Sequence, residues 1–358
     1  MEETVRKLTA AVLTACMVLP LAACSSGKDY SAAADEAEST IFTMGTVFSI
    51  RLLGDDADSM LKSTESVLYD ENDLISWRED GSVISDFNSS HTADISQISD
   101  LIEMAQQVNE DSEGAFDITV LPLTKVWGFD KIGDADFDIN SLTVPDQADI
   151  DSALAHVGMD KLQIDPDAGT MSAQDPDVQV ELGAIGKGYA IQKAMDSIRQ
   201  SDLSGALISA GSSIAVYGTK QDGTYFNIGL RDPRGEEDDT IAMLSVTDCS
   251  ISSSGDYEHY FEQDGKRYHH IIDPETGYPA DSGLMQTTII CDDGALADAL
   301  STACMVLGLD KGMALANKYK VGAIFIDTDK NVWYNSNDVL GSMDFSGEDQ
   351  GYKLCEYN

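Results

Sequence analysis

The segment from Asp256 to Gly308, DYEHYFEQDGKRYHHIIDPETGYPADSGLMQTTIICDDGALADALSTACMVLG, constrains the fold more than any other stretch. It holds an adjacent histidine pair, His269 and His270, then an Ile-Ile-Asp-Pro turn, a strand-like run and a helix of small residues. Asp298 and Thr302 lie four positions apart on that helix and therefore share a face. The surrounding turn is otherwise apolar. A buried carboxylate and hydroxyl need a partner, and a metal ion would suit both. The plain alternatives are solvent exposure for Asp298 and a Thr302 hydroxyl bonded back to its own helix.

The charge balance limits the partners. The chain has 358 residues, with 63 acidic against 22 basic, a net charge of −41. That balance argues strongly against nucleic acid or an anionic membrane surface as partner. An anionic small molecule would need a metal ion or a helix N-terminus to receive it. The hydrophobic share of 42% suits a globular core.

The N-terminus reads as an export signal. Arg6 and Lys7 precede an apolar run from Leu8 to Leu21, too short to span a bilayer comfortably. Its close, Leu21-Ala22-Ala23-Cys24, resembles a bacterial lipobox, which implies cleavage before Cys24 and lipidation of that residue. Residues 1–23 are then a lipoprotein signal peptide, 24–40 a flexible, small and acidic tether, and 41–358 the folded domain. Cys249, Cys291, Cys304 and Cys355 are widely spaced, so neither a disulfide framework nor a structural zinc site is expected.

Along the domain, strands and helices mix without regular alternation, which predicts an α+β fold. Strands are expected at 42–52 with a bulge or a close backbone approach at Gly45, at 115–120, 162–164, 178–182, 206–208, 214–218, 226–230, 241–246 and 250–253, with a closing hairpin at 321–334. Helices are expected at 55–77, 95–109 and 189–199. The Ser252–Tyr257 stretch is expected to return a strand to a helix.

Three groups can carry chemistry. The turn Gly183-Ala184-Ile185-Gly186-Lys187-Gly188 joins a strand-like run to a helix, so its amides and Lys187 could cradle a phosphate. It is neither a P-loop nor a dinucleotide fingerprint, and a tight turn with an exposed lysine is the alternative. Asp298 and Thr302 suit a hard cation such as magnesium, with one carbonyl and substrate phosphates completing the shell. Of His269 and His270, neighbours on an extended segment, one could serve as a general base and the other as a structural histidine. Trp77, Phe116, Trp127 and Phe129 are the aromatics that could stack on a planar ligand or pack in the core.

The order of motifs adds more. TMGT at 43–46, ISWREDGSVISDFN at 75–88, GAFDIT at 114–119, ELGAIGKGYA at 181–190, SAGSS at 209–213, SSGDYEHYF, RYHHIIDPETGYPA and DDGALADALSTACMVLG occur in succession. This series resembles the ApbE family of FAD:protein FMN transferases from about Ile41 to the C-terminus. The resemblance implies a T-fold-like mixed α/β architecture with FAD in a cleft between two subdomains. It implies magnesium-dependent transfer of FMN to a threonine of a target protein, with release of AMP. By motif, Asp298 and Thr302 resemble the side-chain metal ligands and Ala184 the backbone ligand. Met44, Trp77, Ala115, Phe116, Asp117, Glu181, Lys187 and Ile272 fall at flavin-contacting positions. Trp77 stands where Tyr is common and Glu181 where Asp is common. His270 resembles a histidine implicated in the transfer. The resemblance further implies an acceptor carrying a Ser/Thr-Gly-Ala-Thr segment, expected to be a membrane-linked electron-transfer subunit, on the extracytoplasmic face. The rival expectations are an FAD pyrophosphatase, with water as nucleophile, and a non-catalytic flavin-binding lipoprotein.

Overall fold

The chain enters the fold on a hairpin. The computed structural model describes residues 36–357, so the expected signal segment and residues 24–35 of the expected tether lie outside the described residues. Residues 36–40 are not tether but the start of β1 (Glu36–Thr43), which pairs antiparallel with β2 (Thr46–Leu53). Met44 and Gly45 between them have φ of 51° and 71°. Two consecutive left-handed residues make the tight turn that suits the twist of a hairpin, and glycine makes the second inexpensive. The expected bulge is therefore a complete reversal.

Helix α1 (Ala57–Ile75) buries Ala57, Thr64, Leu68 and Ile75 along one stripe. Helix α2 (Val83–Ser90) is capped by Ser82, whose hydroxyl accepts from the Ser85 amide at 2.9 Å. Then come β3 (Thr92–Asp94), α3 (Ser99–Asp111), α4 (Leu121–Trp127), α5 (Gln147–Leu154), β4 (Leu162–Asp165) and β5 (Thr170–Ala173). Strands β3, β5 and β4 form a small sheet. Helix α6 (Gly186–Ile198) leads to β6 (Gly205–Ala210), β7 (Ser213–Gly218), β8 (Phe226–Arg231), β9 (Thr240–Val246) and β10 (Cys249–Gly255). A short hairpin, β11 (Tyr260–Gln263) and β12 (Lys266–His269), precedes β13 (Leu284–Cys291) and α7 (Gly294–Tyr319). The chain ends with β14 (Gly322–Asp327), β15 (Asn331–Tyr334), α8 (Asn337–Ser342), β16 (Met343–Phe345) and β17 (Lys353–Glu356).

One nine-stranded sheet organises these elements, in the order β1-β2-β6-β7-β10-β13-β14-β15-β17. Every neighbouring pair is antiparallel except β15 with β17. The expected α+β class holds. The sheet is covered on both faces, and β14 shows how. Ala323 and Phe325 enter the core beneath α7, whereas Ile324 and Ile326 enter the core shared with β8 and β9. Alternate residues of a strand face opposite ways, so AIFI feeds two cores at once. Helix α7 packs on β10 and β13. It is the one helix among the described residues long and apolar enough to cross a membrane, and it is mostly buried in the interior instead. It breaks at Gly308, where φ is 79° and ψ is −173°.

Three expected elements differ. Residues 115–120 form turns rather than a strand, because side chains take the backbone donors a ladder would use. Ser112 accepts from the Phe116 amide at 3.1 Å, and Asp117 from the Thr119 amide at 2.7 Å. Residues 178–182 join no sheet. The Asn88 side chain accepts from the Val180 amide at 2.7 Å and donates to its carbonyl at 2.9 Å, as a strand partner would. The Ser252–Tyr257 stretch leads into the β11–β12 hairpin, not a helix.

Candidate active site

The site forms where the N-termini of α6 and α7 meet. Their backbones touch at two glycines. A Cβ on Gly188 would sit 2.0 Å from the Gly294 carbonyl oxygen and 2.8 Å from Cβ of Asp298. Only glycine permits that approach. It delivers the amide of Gly188 to Oδ2 of Asp298 at 3.0 Å. Asp293 caps α7, accepting from the Leu296 amide at 2.9 Å, which fixes the first turn from which Asp298 projects.

Asp298 is 4% exposed. Its other oxygen accepts from Ser213 Oγ at 3.1 Å, and Ser213 in turn accepts from Ser252 Oγ at 3.0 Å. Lys187 Nζ lies 4.0 Å from Oδ2 and donates to the Gly183 carbonyl at 3.0 Å. Lysine and carboxylate therefore bracket the Gly183–Lys187 turn that contains Ala184. One turn along α7, Thr302 Oγ1 lies 3.3 Å from Ser254 Oγ, which also bonds Ser301 at 2.8 Å. So Asp298 is not solvent-exposed, and Thr302 has a partner on β10.

This donor set fits a hard cation. A carboxylate has about four acceptor positions, and one backbone amide and one hydroxyl occupy two of them. The Thr302 hydroxyl and the expected Ala184 carbonyl would add oxygen donors, with no sulfur or imidazole among them. A separate group, His156 with Asp175 and Asp177, brings His and carboxylate atoms close together, but includes none of the expected ligands. There the two ring nitrogens of His156 each face a different aspartate, at 2.9 and 3.8 Å.

The histidine pair separates cleanly. His269 is buried, its Nε2 donates to the Ala280 carbonyl at 2.9 Å, and its Nδ1 accepts from the Ile271 amide at 3.3 Å. Both nitrogens are used, so His269 is a structural, neutral imidazole. His270 is half-buried, and its shielded Nδ1 has no partner among the described residues. Burial, with His259, His269 and Lys187 as neighbours, holds its pKa well below the ordinary 6.5. His270 is thus the imidazole free to act, and Lys187 faces it as well as Asp298.

A second wall lies around Trp77. Its half-buried ring has the Arg78 guanidinium 4.9 Å and Lys125 Nζ 5.3 Å from its centroid. Glu181 hydrogen-bonds the Thr124 hydroxyl at 2.6 Å. Burial raises its pKa against the pull of that bond and of Arg78 and Lys125, with Asp130 also near. Met44 joins the wall to the turn: its amide donates to Asn72 Oδ1 at 3.2 Å, and its Cε would lie 3.4 Å from a Cβ on Gly186.

The other expected contacts are not presented by side chains. Phe116 is 1% exposed in the core, and Trp127 and Phe129 pack with Phe261 and Ile272 in an aromatic cluster. Trp127 Nε1 donates to the Gly277 carbonyl at 2.8 Å. Asp117 is consumed by Thr119 and by the Met159 amide at 3.1 Å, and burial raises its pKa. At Phe116, Asp117 and Ile272 only the backbone, or a shift of the loop, could meet a ligand. Ala115 is half-buried on the same loop. Sequence reasoning missed Ser213, Ser254 and His259. Serines at 250, 252 and 254 repeat with strand period, the signal that would have aimed them at α7.

Residues 44–325 match the ApbE family. The chain belongs to the ApbE family. It is 31% identical to an FAD:protein FMN transferase of Klebsiella pneumoniae over 318 residues, 87% of this chain and 95% of that protein. A Vibrio cholerae relative of the same name is 31% identical over 79% of this chain and 85% of its own length. The solved flavin transferase ApbE from Vibrio cholerae superposes with a TM-score of 0.72 at 29% identity, covering 82% of this chain and 94% of the other. The ApbE protein of Thermotoga maritima superposes equally well, at 0.72, over 89% of this chain and 99% of its own. The match spans α6, β10 and the start of β14, so both halves of the site lie within the ApbE region.

Proposed function

We infer that this protein moves the FMN half of FAD onto a target protein. Its ApbE relatives carry the name FAD:protein FMN transferase and align along nearly their whole length. The observation that supports this chemistry here is the convergence on Lys187, which lies 4.0 Å from Asp298 and whose charge faces His270.

The parts divide the work. Lys187 and the α6 N-terminus offset the pyrophosphate charge that a chain at −41 would otherwise repel. Asp298, Thr302 and the Ala184 carbonyl would hold magnesium, which supplies charge neutralisation of the pyrophosphate. Trp77, Glu181 and Met44 line the wall available to the dinucleotide, and burial raises the Glu181 pKa there. His270, neutral at physiological pH, takes the proton of an incoming threonine hydroxyl. That oxygen bonds the FMN phosphorus, the pyrophosphate bridge breaks, and AMP leaves. The acceptor is a Ser/Thr-Gly-Ala-Thr segment of a membrane-linked electron-transfer subunit. The enzyme itself is lipid-anchored through Cys24 on the extracytoplasmic face of a bacterial membrane.

The test is direct. Purified protein, FAD, magnesium and a target domain bearing that segment should give flavin fluorescence on the denatured target and one AMP per modified target. No fluorescence on the target and no AMP would refute the activity. AMP with free FMN, formed equally without target, would make the enzyme a pyrophosphatase.

A further inference from the structure

A third histidine stands at the site. His259 is the residue just before β11, and the His270 amide donates to its carbonyl at 3.0 Å, so the two oppose each other at the end of the β11–β12 hairpin. Their rings meet edge to face, with centroids 5.1 Å apart and planes at 79°. His259 also lines a cavity of about 440 Å³, with Asp134, Glu258 and Tyr260 among the other lining residues. It therefore borders that opening and also touches the one imidazole of the pair that is free to act.

We propose that His259 is a positioning residue for His270, fixing the plane of its ring and opposing a second positive charge beside Lys187. The inference rests on His270 being the base in the proposed transfer. Two physical arguments support it. The first is orientation: Nδ1 of His270 has no hydrogen bond to set the ring plane, unlike His269, which has one on each nitrogen. The His270 ring is held from the His259 side, by a hydrogen bond with the His259 backbone and by edge-to-face packing on the His259 ring, which adds a constraint on its plane. The second is charge. The groups that face His270 are His259, His269 and Lys187. His269 is locked neutral and Lys187 is already a cation, so His259 is the neighbour whose titration is linked to that of His270. Glu258 and Lys187 face His259 and act on it in opposite directions, while burial lowers its pKa.

The experiment compares transfer rates for the parent, His259→Phe and His259→Ala between about pH 5.5 and about pH 8.5, on either side of ordinary histidine titration. FAD binding by fluorescence quenching reports that each variant is folded. Phenylalanine keeps an aromatic ring but removes the linked charge. The rate at low pH relative to high pH should then fall about threefold or more, because His270 now protonates at higher pH. Alanine removes ring and charge, and should lower the rate at both ends by about tenfold as well. Profiles of the two variants that parallel the parent's would overturn the proposal. So would equal losses at every pH in both variants, which mark His259 as a wall of the cavity only. His270→Ala separates the two levels: if it still transfers FMN at the parental rate, the base assignment itself fails. If it is inactive while the His259 variants match the parent, only the present inference fails.

Discussion

Asp298 carries more of the site's geometry than any other residue. It joins α7 to the α6 N-terminus through Gly188, to β7 through Ser213, and to Lys187 by charge. Asp298→Ala should lower AMP release by about 10²–10³-fold, the scale for losing one fixed electrostatic contact at a phosphoryl centre. A protein that only binds flavin would show no turnover to lose, so AMP release and FAD affinity should be measured together. The histidines give a second residue-scale prediction. His269 and His270 both have pKa values lowered by burial, His270 strongly. Below the ordinary value of 6.5 the unfolded chain binds protons that the folded one refuses. These two residues therefore cost stability as pH falls through that value, and the urea midpoint should drop between about pH 7 and about pH 5. In a His269→Gln, His270→Gln variant that decline should flatten.

Elements meet here by backbone contact, so glycine matters more than side-chain volume. Gly188→Ala places a methyl against the Gly294 carbonyl, which cannot swing aside as a flexible side chain could. The α6–α7 contact must open, at a cost of about 1–3 kcal/mol or more, and Lys187 moves away from Asp298. The outcome should be a lower denaturant midpoint and a larger proportional loss of AMP release than of stability. Asn88 makes the same argument for the 178–182 segment, which it holds by both backbone groups of Val180. Asn88→Ala leaves a buried amide and carbonyl unpaired and should cost about 1–3 kcal/mol, read by urea unfolding. Such contacts set what could be read from the sequence. The helix with Asp298 and Thr302 was legible, because i and i+4 spacing fixes a shared face whatever surrounds it. So were most central strands, whose apolar runs follow from burial on both faces. The segments 115–120 and 178–182 were not, because Asp117 and Asn88 replace ladder partners with side chains from elsewhere in the chain. The β11–β12 hairpin was obscured by its polar turn, and the choice between His269 and His270 depended on Ala280 and Ile271, which no spacing rule singles out.

At the scale of the whole molecule, charge and chemistry pull in opposite directions. The chain carries −41, yet its substrate is a dianionic pyrophosphate. Attraction is confined to Lys187, the α6 N-terminus and the cations around Trp77, which act over a few ångströms. The repelling field extends over a Debye length, about 30 Å at 0.01 M salt and about 10 Å at 0.1 M. An approaching FAD therefore meets net repulsion first and local attraction last. Raising salt screens the long-range part before it weakens the close contacts. Stopped-flow quenching of FAD fluorescence should thus show an association rate that rises between about 0.01 and about 0.1 M salt, the reverse of electrostatic steering. Dissociation should change little over that range, since the site contacts are partly buried. Lys187→Met should slow association at every salt concentration without altering the upward slope, because the slope belongs to the whole surface. An association rate that falls with salt would mean that local cations dominate the approach, and the acidity would then have no part in substrate capture.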